Sequence, residues 1–153
     1  MTQQTATAVL PGTAALRRGV AIVIGAALVA AAAQFELRLP FSPVPLTLQG
    51  GALLFVGLVL GARKGAAALV TYLVAGAAGL PVFSGGSSGL AHLMGPTAGY
   101  LFAFPVAAGL AGWMAEGQWG PAAARYLVGA VLGMLVVHLG GWSWLTVVTG
   151  DAT

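Results

Sequence analysis

The run GAAALVTYLVAGAAGLPVFSGGSSGLAHLMGPTAGYLFAFPVAAGLAGWMA, residues 65–115, contains no Asp, Glu, Lys or Arg. A helix that crosses a bilayer needs about 20 predominantly apolar residues, with a range of about 17–25. A charge-free run of 51 residues is too long for one crossing. Its interruptions lie at Leu80-Pro81-Val82-Phe83-Ser84-Gly85-Gly86-Ser87-Ser88-Gly89 and at Gly95-Pro96. Pro and Gly at this density punctuate helices. The run therefore reads as two spans, about Gly65–Leu80 and about Gly99–Ala115, joined by a long apolar connection.

The same silence extends outward. Residues 19–35, 39–62 and 126–150 are also free of charge. They place further spans at about Leu16–Phe35, Thr47–Ala62 and Ala122–Val148. The expectation is one transmembrane domain over residues 1–153, an all-α polytopic bundle of five spans. Composition agrees. The 153 residues are 59% hydrophobic and 6% charged, with a mean hydropathy of +0.96. A soluble domain carries about 25% charged residues, and a disordered chain needs low hydrophobicity with high charge. Both classes are excluded.

The missing residue types exclude chemistry as well. With no Cys there is no disulfide framework, thiolate metal site or Cys nucleophile. Lys64 is the one lysine, and Gly61-Ala62-Arg63-Lys64-Gly65 is not a Walker A loop. His92 and His138, with no nearby carboxylate or thiol in sequence, do not make a metal site. No nucleophile–base pair or cofactor motif is present, so an enzyme is not expected. The pI of about 10.0 comes from a formal net charge of +3. In a membrane protein such a surplus sets orientation and is not read as nucleic-acid binding.

Arg17-Arg18, Arg63-Lys64 and Arg125 fall on one side of an alternating five-span topology, and Arg38 on the other. The positive-inside rule then makes the N-terminus cytoplasmic. Arg17-Arg18 before an apolar run and Ala30-Ala31-Ala32-Ala33-Gln34 is also similar to a twin-arginine signal. The membranous remainder favours a first transmembrane helix. Glu36 and Arg38 read as an interfacial pair of little energetic weight, with Arg38 also placed to attract an anion.

Two connections opposite the basic side are apolar, Leu39–Leu46 and about Pro81–Ala98. Irregular backbone at membrane depth is tolerated only where it is buried or lines a cavity. These loops are therefore expected to fold back over a pocket. Small residues four apart occur at Gly57/Gly61, Gly129/Gly133 and Ala27/Ala31. Such pairs let helices approach closely. They read either as packing within the bundle or as docking against another membrane subunit, the latter assigned to Ala27 and Ala31.

Three segments place polar groups in an apolar setting, the usual construction of a small-molecule pocket. They are Pro43-Val44-Pro45-Leu46-Thr47-Leu48-Gln49, Gly79-Leu80-Pro81-Val82-Phe83-Ser84-Gly85-Gly86-Ser87-Ser88-Gly89-Leu90, and Gly95-Pro96-Thr97-Ala98-Gly99-Tyr100-Leu101. In this order and at these separations they resemble the BioY family, the biotin-binding S components of energy-coupling-factor (ECF) transporters. The Gly61–Gly65 turn and Gly140-Gly141-Trp142-Ser143-Trp144-Leu145 also fit, and the resemblance runs from about Ala26 to Leu145.

The resemblance implies a vitamin-capturing subunit of the bacterial or archaeal cytoplasmic membrane. It implies partners as well: a transmembrane coupling subunit and two cytoplasmic ATPases that supply the energy. No cofactor or metal is implied. A biotin site is expected at Gln49, Thr47, Phe83, Ser84, Gly86, Ser87, Gly89, Thr97, Gly99, Tyr100 and His138. Gln49 offers an amide donor and acceptor to a ureido ring. Each has a second reading: Thr47 first as the N-cap of the second span, Phe83 and Tyr100 as core or interface aromatics, with the resemblance favouring ligand contact for Tyr100, the Gly- and Ser-rich stretch as a flexible gate, and His138 first as a neutral histidine bonded within the bundle. The family pattern has six spans, its last opening on a Pro-Phe…Gly-Asp…Lys element. Against it this chain is expected to be one helix short, with Gly150-Asp151 as a remnant. The alternatives are an S component for another vitamin, against which PVPLTLQ argues, and an oligomeric channel packed through small residues.

Overall fold

The computed structural model describes residues 11–41 and 44–150. Five α-helices follow one another: α1 Pro11–Ala33, α2 Gln49–Leu60, α3 Ala62–Ala77, α4 Ala98–Glu116 and α5 Ala122–Thr149. They answer to the five segments expected from the silent runs. Three of them, at Gly12–Ala33, Ala98–Glu116 and Ala122–Val148, are long and apolar enough to cross a membrane. The other two are short: α2 is four residues shorter than the expected span, and α3 has the expected length three residues earlier in the chain. The 12 residues of α2 and 16 of α3 reach roughly 18 and 24 Å at 1.5 Å per residue, below a hydrocarbon core of about 30 Å.

The reason lies at both ends of this helix pair. Gly61 joins α2 to α3 at φ 83° and ψ 175°, a backbone state open to glycine and strained for other residues. At the far end, Leu46-Thr47 does not open α2. It pairs as strand β2 with β1, Glu36–Leu37, in an antiparallel ladder with Glu36 opposite Thr47 and Leu37 opposite Leu46. This corrects the N-cap reading of Thr47, whose hydroxyl donates to Gln49 Oε1 and caps no backbone N–H of α2. Leu48 occupies the cap position without a side-chain cap bond. It also adds one small ladder to an otherwise all-α fold.

The centre of the bundle is α4. Half of its spanning window is buried, against 11% for α1 and 17% for α5. The outward faces of α1 and α5 present Val20, Ile24 and Leu28, and Leu127, Val131, Leu135 and Leu139. Such faces are stable in lipid and not in water.

Helices α2, α3 and α4 meet where side chains are absent. A Cβ built on Gly57 would lie 2.4 Å from the Ala108 carbonyl oxygen, one on Gly65 2.8 Å from the Gly57 Cα, and one on Gly112 2.4 Å from the Gly61 carbonyl carbon. On the α5 side, Gly129 and Gly133 lie against the carbonyls of Ala111 and Ala107. Both Gly–Gly pairs are thus used inside the bundle. Glu116, at the end of α4, accepts from the Ala62 N–H at 3.1 Å. A carboxylate there satisfies an otherwise unpaired donor at the start of α3 and complements the helix dipole.

Candidate functional site

At the end opposite Arg63 and Lys64 the bundle is hollow. A cavity of about 340 Å³ lies there, within the range of small-molecule sites. Its floor and walls are helical: Gln49 and Gly50 of α2, Tyr100, Leu101 and Phe104 of α4, and Met134, Val137 and His138 of α5. The loops supply Leu39 and Val44–Thr47 from one side, and Ser84, His92 and Thr97 from the other. Toward the outside it continues into a wider vestibule of about 510 Å³, whose lining includes Glu36, Arg38, Ser87 and Gly95. The two spaces share Leu39, Pro45, Ser84, His92 and Thr97.

Gln49 is the polar anchor, 5% exposed. Its Nε2 donates to the Tyr72 hydroxyl at 2.5 Å, and its Oε1 accepts from the Thr47 hydroxyl at 3.2 Å. An amide has two donor hydrogens and two acceptor sites, so one of each remains for a ligand. The Thr47 bond follows from the extended backbone that displaces Thr47 from α2. Tyr72 itself is 1% exposed and lies behind the cavity wall, where it fixes the amide.

The second loop is tied down at several points. Gln34 Nε2 donates to the Phe83 carbonyl at 3.2 Å, the Gly89 N–H to the Gly76 carbonyl at 2.7 Å, and Trp144 Nε1 to the Gly95 carbonyl at 3.0 Å. Phe83 is fully buried. Its ring sits over Gly76, where a Cβ would lie 2.1 Å away, meets Tyr72 edge-on at 5.5 Å and stacks on His92 at 4.9 Å. Phe83 thus anchors the loop and does not line the cavity. His92, in the connection between the third and fourth helices, is half-buried. Burial lowers its basicity below the usual value, and the Glu36 carboxylate opposes that shift.

The structure brings Gln49, Thr47, Ser84, Thr97, Tyr100 and His138 together around the inner cavity and places Ser87 on the vestibule. Gly86, Gly89 and Gly99 line neither space. Gly99 lies against α5, where a Cβ would meet the Gly140 carbonyl at 2.4 Å. Tyr100 lies over Gly141 and meets His138 edge-on at 6.4 Å, while His138 Nδ1 bonds its own helix at the Met134 carbonyl. Ala27 and Ala31 are exposed on α1. Arg38 Nε pairs with Glu36 Oε1 at 2.8 Å, as the interfacial reading expected. Asp151, together with Ser42 and Pro43, lies outside the described residues.

Sequence reading passed over Tyr72, His92, Phe104, Met134 and Val137. The last two had a signal, since Met134 stands four residues before His138 and Val137 three after Met134, the spacings that line one helical face. Phe104 stands four after Tyr100 in the same way. Tyr72 had none, because its contact with Gln49 depends on how the α2–α3 hairpin closes.

Comparison with known proteins bears on this geometry. The sequence model described as the BioY family matches residues 1–152. A probable biotin transporter BioY of Pyrococcus horikoshii is 44% identical over 110 residues, covering 72% of this chain and 64% of that protein. The biotin transporter BioY of Rhizobium etli is 38% identical over 121 residues, covering 74% and 65%. For that of Thermotoga maritima the values are 39% over 102 residues, 67% and 59%. The chain thus spans less than two thirds of the length of these relatives. In fold it is similar to the crystal structure of an S-component for biotin from an ECF-type ABC transporter. That match has a TM-score of 0.80 and 22% identity, and covers 92% of this chain and 77% of the other.

Proposed function

The chain belongs to the BioY family, and on that premise we propose that it captures biotin as the substrate-binding S component of an ECF-type importer. The observation that carries this reading is the buried Gln49 amide, locked by Tyr72 and Thr47 at the floor of the cavity. Its remaining donor and acceptor match the C=O and N–H of a ureido ring. Leu101, Phe104, Met134 and Val137 offer an apolar wall for the fused ring and its chain. The ligand's carboxylate then points to the vestibule, where Arg38 lies with its side chain 78% exposed. Thr97, Ser84, Tyr100 and His138 complete the inner wall, and Ser87 the entrance. The Gly-rich positions Gly86 and Gly89 shape the loop, while Phe83 and Gly99 act through packing.

Uptake needs energy that this chain does not supply. A transmembrane coupling subunit and two cytoplasmic ATPases provide it, with the exposed Ala27 and Ala31 of α1 as the docking face. The chain lies in the cytoplasmic membrane with its N-terminus inside, because five of six Lys and Arg residues share that side.

The test is equilibrium binding of labelled biotin to the purified chain in detergent, beside riboflavin. Biotin is expected to bind and riboflavin not. Gln49→Ala removes a buried partner and is expected to weaken biotin by roughly 1–3 kcal/mol. Equal binding of the two vitamins defeats the assignment.

A further inference from the structure

A second concavity lies at the other end of the molecule, on the outside of the bundle. It runs between α3 and α4 with a volume of about 630 Å³. Its walls are almost wholly apolar: Ala66 from α3, and Pro105, Val106, Gly109 and Trp113 from α4. Two small residues make it a groove. A Cβ on Gly109 would only just touch Ala66, at 3.4 Å, so the space above them is left open. Pro105 to Trp113 covers two helical turns, about 12 Å along the axis. Val106 and Trp113 are 61% and 64% exposed.

The groove ends at a charge. Arg63 lines it, and Lys64 stands beside Arg63 at the start of α3. Both are exposed, and among the described residues neither side chain forms an ion pair or hydrogen bond. The nearby Glu116 carboxylate accepts from the Ala62 N–H through Oε1 and forms no ion pair with Arg63 or Lys64. An apolar trough lined by an indole, with two free cations at its mouth, matches one amphiphile, an anionic lipid. Trp is favoured at the membrane interface, and basic residues there attract anionic headgroups.

We propose that this groove holds the acyl chain of an anionic phospholipid of the cytoplasmic leaflet, with its phosphate between Arg63 and Lys64. The site rests on the orientation argued above and not on biotin capture. The lipid lies beside the α2–α3 turn, and its groove shares no lining residue with the ligand cavity at the opposite end.

The test uses the purified full chain in neutral detergent, titrated with phosphatidylglycerol, with phosphatidylcholine of the same chains, and with soluble glycerol phosphate. Lipid retention is read by native mass spectrometry, and contact by quenching of Trp113 with brominated chains, assigned by the Trp113→Phe difference. Phosphatidylglycerol is expected to be retained over phosphatidylcholine. Arg63→Gln with Lys64→Gln should lower that affinity roughly thirtyfold, from two basic residues near an anionic surface. Gly109→Leu, which fills the trough and keeps both cations, should abolish quenching of Trp113. Equal retention of the two lipids overturns the proposal. So does full competition by glycerol phosphate, which makes it a free-anion site, or unchanged quenching in Gly109→Leu. If the exposed Arg63/Lys64 variant keeps its lipids but no longer joins a coupling subunit, the face is a protein interface and the lipid assignment falls. Biotin binding by the same variants stays at the wild-type level, so failure of either reading is told from failure of the other.

Discussion

The two ends of this bundle are built on opposite principles. Near Arg63 and Lys64, three helices touch backbone to backbone through Gly57, Gly65 and Gly112. Toward the other end α2 and α4, now with α5, stand apart around a cavity of about 340 Å³. Protein interiors close-pack unless something prevents collapse. Here the glycine junction fixes the helices at one end, and the pinned second loop holds them apart at the other. The dense end is what lets the hollow end stay hollow.

The sharpest way to break that contrast is to add a side chain at the junction. Gly57→Leu places its Cβ against the Ala108 carbonyl and Cα, at 2.4 and 2.9 Å. Overpacking typically costs ~1–3 kcal/mol, and more is expected here because the obstructing atoms are backbone. The expected outcome is loss of most folded protein in detergent, read by size exclusion and thermal unfolding. Gly51→Leu, in the same helix, meets nothing within 4 Å and should leave the unfolding midpoint near wild type. Equal damage from both would mean that added bulk anywhere on α2, not the junction, decides the outcome, since Leu is the better helix former at either position.

The same contrast explains what was legible in the sequence. Five helical segments could be read because charge is so costly in lipid that its absence marks each apolar segment, three of them long enough to cross. The glycine pairs at 57/61 and 129/133 were visible as close-approach signals. Only the fold could say that they close the bundle inward, whereas Ala27 and Ala31 face outward. At the hollow end, Gln49, Thr97 and Tyr100 stood in recognisable segments and do line the cavity. Phe83 stood in one too, yet its ring turns away onto Gly76. A motif fixes neighbours along the chain and does not fix which way a side chain faces. Tyr72 escaped because its role comes from a contact 23 residues distant, which needs the hairpin already closed.

Tyr72→Phe sharpens the comparison from the cavity side. The ring still packs against Phe83, so the unfolding midpoint should move little. The amide of Gln49 loses its fixed partner, and a net hydrogen bond is worth roughly 0.5–1.5 kcal/mol. Biotin affinity should therefore fall by about threefold to tenfold. In Gln49→Ala the added Tyr72→Phe change should cost less than it does alone, because both act on one contact. Strict additivity in that double-mutant cycle would detach Tyr72 from the site.

The smallest effect separates the loop from the helices by pH. His92 is half-buried, stacked on Phe83 and less basic than usual because burial disfavours its charged form, with Glu36 pulling the other way. A histidine of lowered basicity is neutral in the docked loop at pH 7. Its contribution is complete above an ordinary histidine value of about 6.5. As pH falls below that value the undocked loop takes up the proton more readily, and the contribution declines until the docked form is protonated as well. Hydrogen exchange at the Gly89 N–H, bonded to Gly76 at 2.7 Å, reports the docking directly. Its protection is expected to be constant between about pH 8 and 7, and to weaken below about 6.5. Biotin affinity should follow, since His92 and Ser84 line the cavity from that loop. His92→Phe keeps the stack without the titration and should flatten both profiles, whereas amides at the glycine junction should show no such step in either protein. A decline that persists in His92→Phe would place the titrating group elsewhere, and a matching step at the junction would mean that the two ends loosen together rather than separately.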